Sequence, residues 1–230
     1  MWTIGDVRVT EIVELSTTSA AHWLLPDATA ERIREIGWMV PDFATPDGKV
    51  HMTIRALVVE SEGRRILVDT CLGNDKQRPV ESWNMRSGPF LDDLAAAGFP
   101  PESIDTVLCT HLHVDHVGWN TRLVDGQWVP TFPNARYLFA DVEGEHWQRD
   151  DSGMDQALRA DSIQPVNDAG LVDHVATHAR HTSHVTLVPT PGHTPGHVSD
   201  VIERHASRAV ITAQLTHKDC QPAHPEWGSS

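Results

Sequence analysis

Residues 110–119 read THLHVDHVGW and bring His111, His113, Asp115 and His116 within six positions of one another. A lone histidine is more often a polar loop residue than a ligand, but three of them with an aspartate in an H-x-H-x-D-H frame ask for a shared reason. The residues just before, Thr106 to Cys109, read as a buried strand, so the cluster begins where a strand ends. Alternate side chains of an extended segment share a face. His111 and His113 are therefore expected to project together, with Leu112 pointing into the core. Asp115 and His116 fall where Gly118 and Trp119 suggest a turn into a helix, which Asp115 could cap. Zinc accepts imidazole and carboxylate ligands, and a catalytic zinc typically has three protein ligands and an open position for water. The cluster supplies two ligands for one ion, and a carboxylate with a third imidazole for a neighbouring one.

A third ligand for the first ion is expected from another strand-end loop. PTPGHTPGH, residues 189–197, provides it: Gly192 and prolines 189, 191 and 195 shape a loop with His193 at its tip. His197 enters the next strand and reads as an orienting group behind a ligand or as a strand histidine. A nucleophilic alternative finds no support, because no G-x-S-x-G elbow is present and Cys109 sits where the sheet buries it.

Working outward, VRVTEIVEL and TIRALVVESEGRRILVDT read as strands, the latter folded into a hairpin about Ser61, Glu62 and Gly63. DATAERIREIGWM predicts a short helix capped by Asp27 or Thr29 and ended by Pro41, and GPFLDDLAAAGF a second one stopped by Gly98. ARYLFADVEGEHWQRD predicts a strand followed by a helix opened by Asp141, and SGMDQALRADSI a further helical stretch. Two strands flank the His193 loop, and RAVITAQ adds another. Residues 164–184 carry four histidines and little periodicity, and are expected to be helix or loop rim.

The 230 residues, 40% hydrophobic and 22% charged, suit one globular α/β domain, and no apolar run approaches the roughly 18 residues of a spanning helix. With 32 acidic against 18 basic residues and a net charge of -14, a nucleic-acid partner is not expected. No secretory leader is visible at the N-terminus. The three cysteines, Cys71, Cys109 and Cys220, suit reduced thiols. A cytoplasmic protein is therefore expected, without a membrane partner and with its oligomeric state open.

His111, His113, Asp115 and His116 followed by the His193 loop resemble the metallo-β-lactamase superfamily. ILVDTCLGND is similar to the family's strand ending in aspartate, with Asp69 in the place of a residue that supports the site's histidines. The resemblance covers nearly the whole chain and implies a single domain over residues 1–230. It also implies an αβ/βα sandwich of two mixed sheets with helices on the outer faces and metals at one edge. PGHTPGH with LTHKDCQPAHPEW resembles the branch that contains methyl parathion hydrolase and N-acyl homoserine lactonase-like proteins.

That branch implies zinc, one or two ions, with manganese, iron or cobalt as alternatives. One ion would sit on His111, His113 and His193, and the other on Asp115, His116 and a later histidine, with a carboxylate bridging the two. A metal-held hydroxide would attack a lactone, ester or related small molecule, with Asp115 as the catalytic carboxylate that orients it or takes up a proton. Trp119, just after the cluster, is expected near the metals.

Two departures qualify this. Where the family usually has Gly-Asp, the chain has Ala213 and Gln214, a neutral and weaker ligand. The family's last metal histidine is expected beyond the final residues, so the C-terminal part is expected to be short; His217 aligns beside the bridge position and His224 lies further on. The first site is thus complete and the second is not. The alternative to a zinc hydrolase is a degenerate member of the fold with a mononuclear or empty site and little catalysis.

Overall fold

A computed structural model describes residues 1–149 and 153–228. The strands are β1 (Trp2–Ile4), β2 (Val7–Ser19), β3 (Val50–Ser61), β4 (Arg64–Val68), β5 (Thr106–Leu108), β6 (Thr121–Val124), β7 (Gln127–Pro130), β8 (Arg136–Ala140), β9 (Val172–Val175), β10 (Val185–Pro189), β11 (Val198–Arg204) and β12 (Ser207–Ile211). The α-helices are α1 (Ala30–Glu35), α2 (Phe90–Ala96), α3 (Asp141–Arg149), α4 (Gly153–Leu158) and α5 (Gln164–Asp168), with a π-turn, Arg159–Ile163, between the last two.

Seven strands form one mixed sheet in the order β1-β2-β3-β4-β5-β8-β9, and β10-β11-β12 form a second, antiparallel one. β4, β5, β8 and β9 run parallel, which places the C-terminal ends of β4 and β5 side by side. The hairpin of β3 and β4 turns on Glu62 and Gly63, both with positive φ, the conformation a two-residue hairpin requires. β6 and β7 form a separate hairpin on Asp125 and Gly126, again both at positive φ. This pair, and β9 within the histidine-bearing stretch 164–184, are absent from the pattern-based expectation; each is only four residues long, too short for alternation to stand out.

The chain divides into two compact units. The first comprises Met1–Glu14 and Arg55–Thr212. Its core lies between the sheets, where Val59, Ile66, Val68, Leu108 and Ala140 meet Val185, Leu187, Val198 and Ile202. The second unit comprises Leu15–Ile54 and the stretch from Ala213 onward. It gathers Leu25, Ile33, Met39, Cys220 and Trp227 into a core of its own, and Arg32 lies 4.5 Å from the Trp227 ring centroid. Here α1 ends at Glu35, four residues before the apolar spacing suggested, because Gly37 interrupts the pattern; its cap is Thr29, which accepts the Arg32 N–H. Among the described residues no helix is long and apolar enough to cross a membrane.

One residue contradicts its surroundings. Asp200 on β11 is fully buried, its cross-strand neighbours are Leu187 and Ile211, and neither carboxylate oxygen has a hydrogen-bond partner. Burial, with the nearby Asp69 charge added, pushes its carboxyl well above the usual range. The folded state therefore retains a proton that the unfolded chain releases above about pH 4, so this group lowers stability as pH rises from there toward the folded value. Asp200→Asn, which stays neutral, is expected to remove this pH dependence, so that its stability relative to wild type rises from pH 4 toward pH 7. Urea unfolding at pH 4.5 and 7.5 checks it; a difference from wild type that is equal at the two values, or smaller at the higher one, refutes it.

Candidate metal centre

The segment after β5 does not continue as a strand. Residues 109–117 run as loop and turn, held by His116 N–H donating to His113 O at 3.0 Å. The alternation argument for His111 and His113 thus fails in its premise, yet Leu112 is buried and the two rings meet edge to face with centroids 4.7 Å apart. The expected helix after the cluster is also absent. Gly118–Asn120 form a single 3-10 turn whose N-cap is Val117, not Asp115, with no side-chain cap bond. The reason lies in the neighbouring loop: Gly118 N–H donates to Cys71 O and Trp119 N–H to Thr70 O, so these amides are committed across the sheet edge. A side chain at Gly118 would meet the Leu72 carbonyl at 1.9 Å, so the two loops touch only because that residue has none.

Asp69, at the end of β4, anchors this arrangement. It sits at φ 58, a left-handed conformation that aspartate tolerates better than most. Its carboxylate accepts the Thr110 N–H at 2.8 Å and the Thr110 hydroxyl, and contacts His116 Nδ1 at 2.8 Å. On the other side, His116 Nε2 lies 3.3 Å from Asp115 Oδ2. Burial depresses the His116 imidazolium, but Asp115 and Asp69 outweigh it and lift its pKa to about 10. Burial likewise raises Asp115, and the His116 charge overrides it to bring that carboxyl down to about 2.

His193 projects from the loop between β10 and β11, and its Nε2 lies 2.8 Å from His113 Nδ1. Its ring centroid is 4.8 Å from that of His111. The ligand atoms of His111, His113 and His193 all fall within 4.8 Å of one another, and this is the one such trio gathered among the described residues. His111 is fully buried, and its Nε2 has no hydrogen-bond partner. Burial, reinforced by the neighbouring histidines, keeps His111 well below its ordinary pKa, and burial with His193 takes His113 to about 4. Both are neutral at pH 7, the form in which imidazole binds a metal. An orphaned buried nitrogen grouped with two neighbouring imidazoles is a donor set that fits a divalent cation.

His197 is fully buried one residue before β11, with Nδ1 2.8 Å from the Thr190 hydroxyl and its ring 5.1 Å from that of His111. Trp119 is buried, stacked on Phe90 at 5.7 Å, and donates its Nε1–H to Glu14 at 2.7 Å. Gln214, in the 3-10 turn Ala213–Leu215, and His217, both half-buried, belong to the second unit. Two carboxylates around the cluster were not anticipated. Glu14 on β2 accepts the Leu72 and Gly73 amides. Glu143 on α3 accepts amides from both histidine loops. An isolated glutamate on a strand or helix carries no periodic signal; what marks these two is the loop amides they accept, visible only in three dimensions.

A family model described as the metallo-beta-lactamase superfamily matches residues 53–228. This chain belongs to that superfamily. The metallo-β-lactamase-type α/β fold is shared with solved relatives, among them the hydrolase AbOPH, which has a TM-score of 0.76 at 25% identity, with 98% of this chain and 77% of that one aligned. AidC, a dizinc quorum-quenching lactonase seen with its homoserine product, gives a TM-score of 0.77 at 23% identity, aligning 100% of this chain and 79% of AidC. In sequence, the N-acyl homoserine lactonase of Bacillus cereus is 24% identical over 182 residues, which are 73% of this chain and 65% of that protein. The uncharacterized protein YobT of Bacillus subtilis (strain 168) is 27% identical over 161 residues, 67% of this chain and 59% of YobT. The chain thus spans somewhat less than two thirds of the curated relatives it matches.

Proposed function

We propose that this metallo-β-lactamase-fold protein is a zinc-dependent hydrolase of a lactone, ester or related small molecule. The observation that carries the reading is the convergence of His111, His113 and His193 on one point where His111 Nε2 lies buried without a partner. An ion held by these three residues supplies, when bound, a Lewis acid for a carbonyl or phosphoryl oxygen and a water of lowered pKa.

The remaining steps belong to the protein. Asp115 is ionised at neutral pH and is the group that accepts the proton released as water attacks. Asp69 and Thr110 fix the His116 ring, and His116 holds Asp115 in turn. Within the first unit a second ion would have only Asp115 and His116 to hold it, and would bind more weakly than one on the three histidines. The names of AidC and the Bacillus cereus lactonase support a lactone as substrate. Three buried free cysteines support a reducing compartment such as the cytoplasm.

Elemental analysis of protein purified without added metal, and again after dialysis against zinc, is expected to give close to one tightly held zinc per chain. The zinc-loaded protein is expected to open lactones or cleave aryl esters well above free zinc. Retention of zinc with no turnover of either substrate instead supports a metal-binding protein with little catalysis, the reading that Gln214 motivates. Absence of bound zinc defeats both.

A further inference from the structure

Glu143 occupies the first turn of α3, immediately after β8, and is almost fully buried although no role in the proposed chemistry calls for a carboxylate there. Its Oε1 accepts the Leu112 N–H at 3.1 Å and the Trp147 Nε1–H at 2.9 Å, and its Oε2 accepts the Gly196 N–H at 3.0 Å. Leu112 is the residue between His111 and His113, and Gly196 lies three residues past His193 and next to His197. One carboxylate therefore joins the two loops that carry the histidine trio, loops separated by some 80 positions in the chain.

A second observation points the same way. A side chain at Gly196 would meet the Glu143 backbone N at 2.3 Å and its Cα at 2.6 Å, so the loop is pressed against the helix at this point and can approach only as glycine. The fold has shaped both partners for the contact.

We infer that Glu143 is a positioning residue whose carboxylate sets the separation of the His111–His113 loop from the His193 loop, and thereby the affinity of the site for its metal. This rests on the metal-site reading above. Two amide N–H groups and an indole N–H satisfy the buried carboxylate, which explains how it stays buried without a cation beside it. A glutamine of the same shape cannot reproduce this. Its single oxygen can serve either Leu112 and Trp147 or Gly196, and its amide nitrogen then confronts a donor on the other side.

The test is a competition titration of zinc against a chromogenic chelator, with the cobalt(II) absorption spectrum as a second readout, on the whole chain as wild type, Glu143→Gln and Trp147→Phe. Trp147→Phe removes one donor to Glu143 but leaves both loop amides joined and keeps an aromatic ring where Trp147 packs edge-on against His113 at 5.8 Å, so it reports a merely structural loss. Glu143→Gln is expected to weaken zinc binding about 10- to 100-fold, the usual scale for groups that orient ligands, and to alter the cobalt spectrum. Trp147→Phe is expected to leave both near wild type. Wild-type affinity in Glu143→Gln, or an equal loss in the two variants, overturns the inference. A wild-type protein that binds no zinc fails the underlying reading instead. Should Glu143→Gln not fold, amide exchange in the wild-type apoprotein decides: Leu112 and Gly196 are expected to be strongly protected, and fast exchange at either overturns the inference.

Discussion

His193→Ala is expected to remove tightly bound zinc and all hydrolysis above background while leaving the fold intact. Of the three histidines it is the best one to delete. His111 is fully buried, so its truncation would open a cavity as well as remove a ligand, and the two effects would be confounded. His193 sits half-buried at the tip of a loop whose backbone is fixed by Thr190, Thr194 and His197, with Thr190 N–H donating to His197 O at 2.9 Å. Losing one of three ligands should cost more than losing an orienting group, so zinc affinity is expected to fall by at least roughly 100-fold.

Stability gives an independent reading of the same change. A ligand present at 100 times its dissociation constant stabilises the folded state by about 2.7 kcal/mol. For a chain of this size that is on the order of 5–10 °C in Tm. Wild-type protein is expected to show that upshift on adding zinc and His193→Ala to show almost none, with the two apoproteins melting close together. An equal zinc-induced shift in both would place the metal elsewhere.

Asp161→Ala is expected to be among the most destabilising single substitutions in the first unit. The π-turn after α4 delivers the Asp161 carboxylate to Arg78, which engages both its oxygens at 2.7 and 2.8 Å, and Lys76 Nζ lies 3.5 Å from Oδ1. Both cations are buried, and one carboxylate serves the two. The Lys76 ammonium also donates to Thr121 Oγ1 and to the Asp161 carbonyl, and faces the Trp128 ring at 3.8 Å.

Removing one partner of a buried ion pair costs about 3–5 kcal/mol, because the remaining charge stays desolvated. For this chain that is on the order of 10 °C in Tm. Burial lowers the Lys76 pKa to about 7, outweighing the Asp161 charge. The unfolded chain keeps that proton up to about pH 10.4, so stability gains from this group as pH rises from 7 toward 10. In Asp161→Ala the gain is expected to begin at lower pH, since the nearest carboxylate supporting the ammonium is gone. Urea unfolding from pH 6 to 9 measures both effects. A loss under about 1 kcal/mol at pH 7 would show that water replaces the missing carboxylate.

The sequence alone singled out His111, His113 and His193 as candidate ligands, because their motifs depend on local spacing, and the family fold followed from the resemblance those motifs carry. H-x-H-x-D-H needs only six positions to be recognised, and the proline- and glycine-shaped loop around His193 declares itself as a loop without knowledge of its neighbours. The hairpin at Glu62 and Gly63 is legible for the same reason. Tertiary structure decided how those residues meet. It replaced the expected strand and helix around the cluster with a loop and a 3-10 turn, because the amides of Gly118 and Trp119 pair with the loop after β4. It also chose Glu143, Asp161 and Asp200 from among 32 acidic residues and buried them. Burial is a property of the packed chain, and a carboxylate that accepts amides from two distant loops has no pattern in either. What a charge does when water is taken away depends on partners that only the fold supplies.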